Sequence, residues 1–332
     1  MPTLVGKPVG STGYGLMGLT ARKTPPPLEQ AFSAMTAALK NDANFWNGGE
    51  FYGPPNRNSC HILNAYFKDH PESAEKVVLS IKGGFERGAF ARAFTPDGSE
   101  KNVRASVEEC LRVLDGTKTI DIFQCARVDP KTPLEVTMGA LKKLMDEGKI
   151  GGIGLSEVSA NTIRKAAAAA PIAAVEGELS LWAIDNMENG VLSTCAELGI
   201  TFVAYSPLGR GALTGQVKRY EDLPEQVKHY PKYQKDVLEK NLKLVELLES
   251  IAKKKECTLP QLALAWVKYL SGKPGMPVII PIPGATTEAR VNENTKNVTI
   301  SEEEAKEIDA ILDVHAVRGD RYSGVSQAWT EG

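Results

Sequence analysis

Histidine is scarce, with four in 332 residues, and His61, His70, His229 and His315 fall in expected helices or in a long insertion. No His/Cys/Asp spacing suits a metal, so no metal site is expected. The five cysteines, Cys60, Cys110, Cys125, Cys195 and Cys257, are odd in number, widely spaced and without a CxxC. They read as reduced, packed thiols. No stretch approaches the ~18 continuous apolar residues of a membrane span, and residues 1–7 lack the apolar core of a signal peptide, so a cytoplasmic location is expected. Neither sign of charge dominates: 39 basic residues stand against 41 acidic ones, a net of −2. That balance gives no reason to expect nucleic acid or an anionic membrane as a partner. Oligomeric state is not legible. No Ser/Gly/Pro linker or shift of composition divides the chain, and residues 1–332 are expected to form a single domain.

What is present is alternation. Short β-rich runs alternate with amphipathic stretches along the whole chain, the signature of βα units on a parallel sheet. Eight strands are expected, at 13–17, 44–47, 77–82, 120–125, 152–155, 173–176, 201–205 and 278–281. Between them, residues 100–114 carry Val103, Val107, Cys110, Leu111 and Leu114 on one helical face and stop at Gly116. A second helix opens at Pro133 and closes at Gly148, a proline start and a glycine stop. Eight such units without a break predict an α/β fold, a (β/α)8 TIM barrel. Residues 1–12 are expected to plug its floor as a hairpin, 209–236 to form a long polar loop after strand 7, and 317–332 a C-terminal tail. Active sites of such barrels lie at the carboxyl ends of the strands. Tyr52, Lys82, Gln124, Ser156, Glu176 and Tyr205 all fall at or just past those ends, so residues scattered through the sequence are expected to form a ring in space.

Two of these carry a chemistry. A lysine cation packed beside a phenol favours the phenolate, which turns an unreactive tyrosine into a general acid. Tyr52 and Lys82 are the candidates. The run from Gly13 to Gly18 spells G-x-G-x-x-G, but Thr24 is followed by three prolines where a dinucleotide fold needs a helix, and no strand ends in Asp or Glu about 20 residues on. A doubly wound fold is therefore set aside.

In this order along the chain, Asn47-Gly48-Gly49-Glu50-Phe51-Tyr52-Gly53, Lys82, the segment from Gly148 to Glu157, the segment from Ala204 to Gly211, and Ile280 to Gly284 followed by Arg290, Glu293 and Asn294 resemble the aldo-keto reductase superfamily over essentially the whole chain. The segments around Asn47 and from Phe123 to Asp129 are most similar to its fungal pyridoxal reductase branch. The resemblance implies NADPH/NADP as cofactor. It implies that Tyr205 stacks on the nicotinamide, that Ser156, Glu157 and Glu176 hold its carboxamide, and that Gly15, Met17, Ser206, Leu208, Gly209, Arg210, Gly284, Thr286, Arg290, Glu293 and Asn294 line the rest of the site. Arg290 suits a 2′-phosphate, which a guanidinium can grip bidentately.

The family's catalytic set is Asp, Tyr, Lys and His, and two members differ: the Asp position holds Asn47 and the His position holds Ala126. Asn47 can hydrogen-bond Lys82 but cannot neutralise it, so more of the lysine's field is expected to fall on Tyr52. Ala126 opens room for a wide substrate and removes one donor. Trp46, Ala126 and Arg127, with Trp329 and its neighbours Arg321 and Tyr322 in the tail, are the substrate-side candidates. The implied activity is NADPH-dependent reduction of an aldehyde, first among them pyridoxal to pyridoxine. The alternatives are a broad carbonyl reductase and a cofactor-binding regulatory subunit.

Overall fold

The structure, a computed structural model, describes residues 1–86, 94–324 and 330. Its sheet has eight strands, β1 (Tyr14–Gly15), β2 (Phe45–Gly49), β3 (Val78–Gly83), β4 (Ile122–Cys125), β5 (Ile153–Ser156), β6 (Ile172–Glu178), β7 (Thr201–Tyr205) and β8 (Ile279–Pro281). Each is parallel to its sequence neighbour. The ring closes where Gly13 N–H donates to Pro281 O at 2.9 Å, Gly15 N–H donates to Pro283 O at 3.2 Å, and Gly15 bridges Gly284. Tyr14 adds a bond from its hydroxyl to Ala285 O at 2.7 Å. The barrel is the one expected.

Because successive strand residues point to opposite faces, each strand supplies one set of side chains to the barrel interior and one to the helices. Phe45, Val78, Ile122, Ala174, Val203 and Ile280 form an inner apolar layer, and Leu4 and Val9 of the N-terminal segment pack onto it from below. The hairpin of Thr3–Leu4 and Lys7–Pro8 thus stoppers the floor. Lys7 Nζ pins it by a 2.6 Å bond to the Asp121 carboxylate, which also takes Lys118 Nζ at 2.7 Å. The outward set, including Trp46, Leu79, Ile81, Phe123, Ile153, Val175 and Phe202, joins the core beneath the helices.

Helix limits follow the caps. The helix Glu100–Leu114 begins behind Ser99, whose hydroxyl accepts from Asn102 N–H at 3.3 Å, and ends at the left-handed Asp115. The helix Leu134–Asp146 begins directly after Pro133. Two expectations shift. The first strand stops at Gly15 rather than 17, since Leu16 N–H turns to Asn47 O at 2.8 Å and Met17–Thr20 winds into one helical turn. β6 runs on to Glu178 because Glu178 still pairs with Tyr205 of β7. The loop after β7 carries short 3-10 turns at Gly209–Thr214, Tyr220–Asp222, Glu225–Val227 and Pro231–Tyr233. It is anchored, with Tyr233 buried and its hydroxyl donating to Gly209 O at 2.8 Å.

Candidate active site

Above the apolar layer the inward positions turn polar. Two residues on from Phe45, Val78, Ile122, Ala174 and Val203 stand Asn47, Ser80, Gln124, Glu176 and Tyr205, and Lys82 lies one pleat beyond Ser80. Lys82 is buried, and its Nζ donates to Asn47 Oδ1 at 2.7 Å and meets Glu176 Oε1 at 2.5 Å. The other oxygen of Glu176 accepts from Asn47 Nδ2 at 2.8 Å and from Gln124 Nε2 at 2.7 Å. Gly154 makes this convergence possible. It occupies the inward position of β5 between Gln124 and Glu176, and a Cβ there would stand 3.1 Å from Gln124 Cβ and 3.3 Å from its amide oxygen.

Tyr52 sits past the end of β2, partly exposed, with Lys82 Nζ 5.4 Å from its ring centroid. Its backbone is fixed from both sides: Tyr52 N–H donates to Gly49 O at 3.2 Å, and the Thr20 hydroxyl donates to Tyr52 O at 2.6 Å. Gly49 leaves the ring its place, since a Cβ at 49 would lie 3.0 to 3.1 Å from three of its carbons. Burial works against the Lys82 ammonium, but the Glu176 carboxylate and then Tyr52 outweigh it, and its pKa lies above the ordinary lysine value. The expectation that, with Asn47 in place, more of the lysine's field falls on Tyr52 left out this carboxylate. The negative charge absent from Asn47 arrives from β6, where the Glu176 carboxylate meets the lysine.

The tail closes over the next part of the ring. Arg321 is buried and grips Glu157 with Nη2 at 2.9 Å and Nη1 at 3.1 Å, with Glu178 at 3.8 Å. The hydroxyls of Tyr322 and Tyr205 lie 2.7 Å apart, and Arg210 Nη2 donates to Tyr322 at 3.0 Å. Arg210 also stands 3.6 Å from Glu178 and 4.2 Å from the centre of Tyr230. Glu157 and Arg321, expected at a carboxamide and at a substrate, are thus engaged with each other. Arg127 stands over the face of Tyr322, 5.7 Å from its centre, and its Nη1 donates to Ala126 O at 2.6 Å. Burial disfavours the Arg127 charge, yet nearby Tyr205, Tyr322, Glu157 and Tyr52 together raise its pKa. Ala126 is buried beside it.

Other candidates fall where expected or do not. Ser156 Oγ is buried and, among the described residues, has no hydrogen-bond partner. After Tyr205 the backbone turns left-handed at Ser206, Gly209, Arg210 and Gly211, with φ of 49°, 55°, 50° and 107°, around the partly buried Leu208. Such runs aim successive N–H groups into a concavity suited to an anion. Gly284 and Thr286 lead into the helix Glu288–Thr295, which carries Arg290, Glu293 and the buried Asn294. Arg290 Nη2 reaches Gln216 Oε1 at 3.4 Å. Arg22, which the sequence reading passed over, is its near neighbour: burial and then the Arg290 charge lower the Arg22 pKa. Met17 is exposed at the mouth. Trp46 is the clear correction. It faces outward, stacked on Phe67 with centroids 5.9 Å apart and its Nε1–H donating to Ala43 O, so it has no route to a substrate. Trp329 lies outside the described residues. Phe51, Phe85 and Phe94, also unforeseen, form an aromatic wall against Tyr52, with Phe51 4.9 Å from Tyr52 and 4.7 Å from Phe85 between centroids.

The strand-end cavity beside Glu157, Glu176, Phe202 and Arg321 is narrow. A wider groove lies among the outer helices, lined by Glu29, Phe32, His70 and Glu288. It holds none of the residues above.

A polar ring with a buried lysine at the carboxyl ends of a (β/α)8 barrel defines a class, and residues 12–313 match the Aldo/keto reductase family. The chain belongs to that family and is an oxidoreductase acting on carbonyl or alcohol groups. It is 44% identical to "Probable pyridoxal reductase 2" of Schizosaccharomyces pombe, with 97% of each chain covered. It is 39% identical to "Putative pyridoxal reductase" of Saccharomyces cerevisiae, over 94% of this chain and 95% of that one. In fold it is similar to the glycerol dehydrogenase of Gluconobacter oxydans, with a TM-score of 0.82, 24% identity and 96% of each chain covered. No helix among the described residues is long and apolar enough to cross a membrane.

Proposed function

We propose that this protein reduces an aldehyde with NADPH, and that pyridoxal, yielding pyridoxine, is its substrate. The observation that carries the reading is the buried Lys82 ammonium set 5.4 Å from the centre of the Tyr52 ring at the barrel mouth. Support for the substrate comes from the two fungal relatives named as pyridoxal reductases. The Phe51, Phe85 and Phe94 wall suits an aromatic ring, and Arg127 offers a cation to a ring oxygen.

The residues present fit a nicotinamide dinucleotide. The unpartnered Ser156 hydroxyl suits a carboxamide, the left-handed run from Ser206 to Gly211 suits a pyrophosphate, and the paired arginines Arg22 and Arg290 suit a 2′-phosphate, which favours NADPH over NADH. When bound, the reduced nicotinamide supplies the hydride. Tyr52 donates the proton that the carbonyl oxygen takes up, and the Lys82 ammonium steadies the phenolate left behind. Asn47 and Glu176 hold that ammonium in place. Ala126 offers no side-chain donor to that oxygen.

The test follows NADPH consumption with pyridoxal, simple aromatic aldehydes and aliphatic aldehydes. Pyridoxal is expected to be turned over with the highest kcat/KM. Tyr52→Phe is expected to lower it by at least about a hundredfold, the scale of a general acid, with NADPH affinity kept. A Tyr52→Phe enzyme at the parental rate would refute the assigned acid.

A further inference from the structure

Residues that tune an acid need not touch the substrate. We propose that Glu176 is the positioning carboxylate of the Lys82 and Tyr52 pair, supplying from β6 the negative charge that Asn47 on β2 lacks. The proposal rests on the reading of Tyr52 as the acid.

Four contacts carry it. Lys82 is 4% exposed and Glu176 is 1% exposed, so neither charge is solvated, and a buried ammonium without a counter-charge is strongly disfavoured. Asn47 Oδ1 accepts from Lys82 at 2.7 Å, which orients the ammonium without neutralising it. Glu176 Oε1 stands 2.5 Å from the same nitrogen. Glu176 Oε2 is held in turn by the Asn47 and Gln124 amides at 2.8 and 2.7 Å. An aspartate at 47 would set two carboxylates side by side, and like charges at that range cannot both ionise. The amide at 47 and the acid at 176 are therefore complementary halves of one arrangement, and the inward Gly154 leaves the space through which Gln124 reaches Glu176.

The consequence is electrostatic. Glu176 holds the lysine's charge in place and takes up part of its field, so the carboxylate on β6 governs how much of that charge Tyr52 meets. A residue that merely held a carboxamide would not act on Tyr52 in this way.

The experiment is an optical titration of tyrosinate at alkaline pH, taken as the difference between each enzyme and its Tyr52→Phe counterpart, for the parent, Glu176→Gln and the exchange Asn47→Asp with Glu176→Gln. In Glu176→Gln the Tyr52 transition is expected to move by about one unit or more, because the charge that holds the Lys82 ammonium in place is gone. It should return toward the parental position in the exchange, which restores the charge from the other strand. The alkaline limb of kcat should move in parallel, while NADPH affinity changes less than threefold. Superimposable titrations for the parent and Glu176→Gln, or a loss confined to cofactor affinity, would overturn the proposal. If Glu176→Gln does not fold, the exchange decides: parental titration supports the assignment, and an unfolded or shifted exchange overturns it. The titration needs neither cofactor nor substrate, so a chain inactive on every aldehyde would sink the reductase reading and leave this measurement to judge Glu176.

Discussion

Arg321 reaches across 164 positions of sequence to hold Glu157 with both terminal nitrogens of its guanidinium. The pair joins the C-terminal tail to the end of β5, and both residues are less than a tenth exposed. Burial opposes the Arg321 charge, but Glu157, then Tyr205 and Glu178, more than offset that and raise its pKa.

Removing the guanidinium is therefore expected to cost more than a surface bridge would. Although Arg210 still faces Glu178 at 3.6 Å, Arg321→Ala leaves Glu157 buried without its bidentate partner, a loss of about 3–5 kcal/mol. Urea unfolding measures it. A change below about 1 kcal/mol would place the tail in water, not in the barrel mouth.

Cofactor preference should reside in two arginines rather than one. Arg290→Ala is expected to weaken NADPH by about 1.5–3 kcal/mol, one charge-assisted contact to a phosphate, and to leave NADH nearly unchanged. Arg22→Ala should act in the same sense. Equal losses for both cofactors, read by fluorescence titration, would remove Arg290 from the 2′-phosphate.

Space beside the tyrosine gives a third expectation. Gly49→Ala pushes a methyl to within 3.1 Å of the Tyr52 ring, whose backbone is tied at both ends and cannot simply retreat. A displacement of this size is expected to reduce kcat about 10- to 100-fold with little change in NADPH affinity. Steady-state kinetics on one aldehyde suffice.

The thiols predict how stability varies with pH. Burial first, then Asp97 and Asp129, push the Cys125 thiol up to about 12, and burial alone pushes Cys195 up to about 12. Below about pH 8.5 both thiols are protonated in the folded and unfolded states and add no pH dependence. Above it the unfolded chain releases protons that the folded protein retains, so stability falls as pH rises toward 12. Each thiol contributes about 1.4 kcal/mol per pH unit in that window. Denaturation midpoints at pH 8 and 10 should differ by less in Cys195→Ala than in the parent.

Much of this was legible in the residues, and the reason is periodicity. Position at the carboxyl ends of successive strands set Tyr52, Lys82, Gln124, Ser156, Glu176 and Tyr205 on one ring before any distance was known, and a two-residue repeat tells which side chains share a face. The same rule puts Trp46 on the opposite face from Asn47, and the error of naming it as a substrate contact came from nearness in sequence overriding parity. The direction of Glu176 was not legible. Asn47 and Glu176 are 129 positions apart, and only barrel closure brings them together. Position in a family pattern suggested a carboxamide ligand, whereas charge balance around Lys82 sets what the carboxylate touches. The partner of Arg321 in the tail was not legible either. Arg321 is a cation in a glycine-rich segment, and only the fold brings it to Glu157.

The stopper formed by Leu4 and Val9 closes the floor of a packed barrel, so among the described residues Tyr52 is reached from the strand-end side. If Tyr52 gives up its proton at each turnover, the replacement must enter by the same doorway through which product leaves and fresh aldehyde arrives. Recharging the acid and clearing the pocket then share one side of the barrel, the side on which Tyr52 stands.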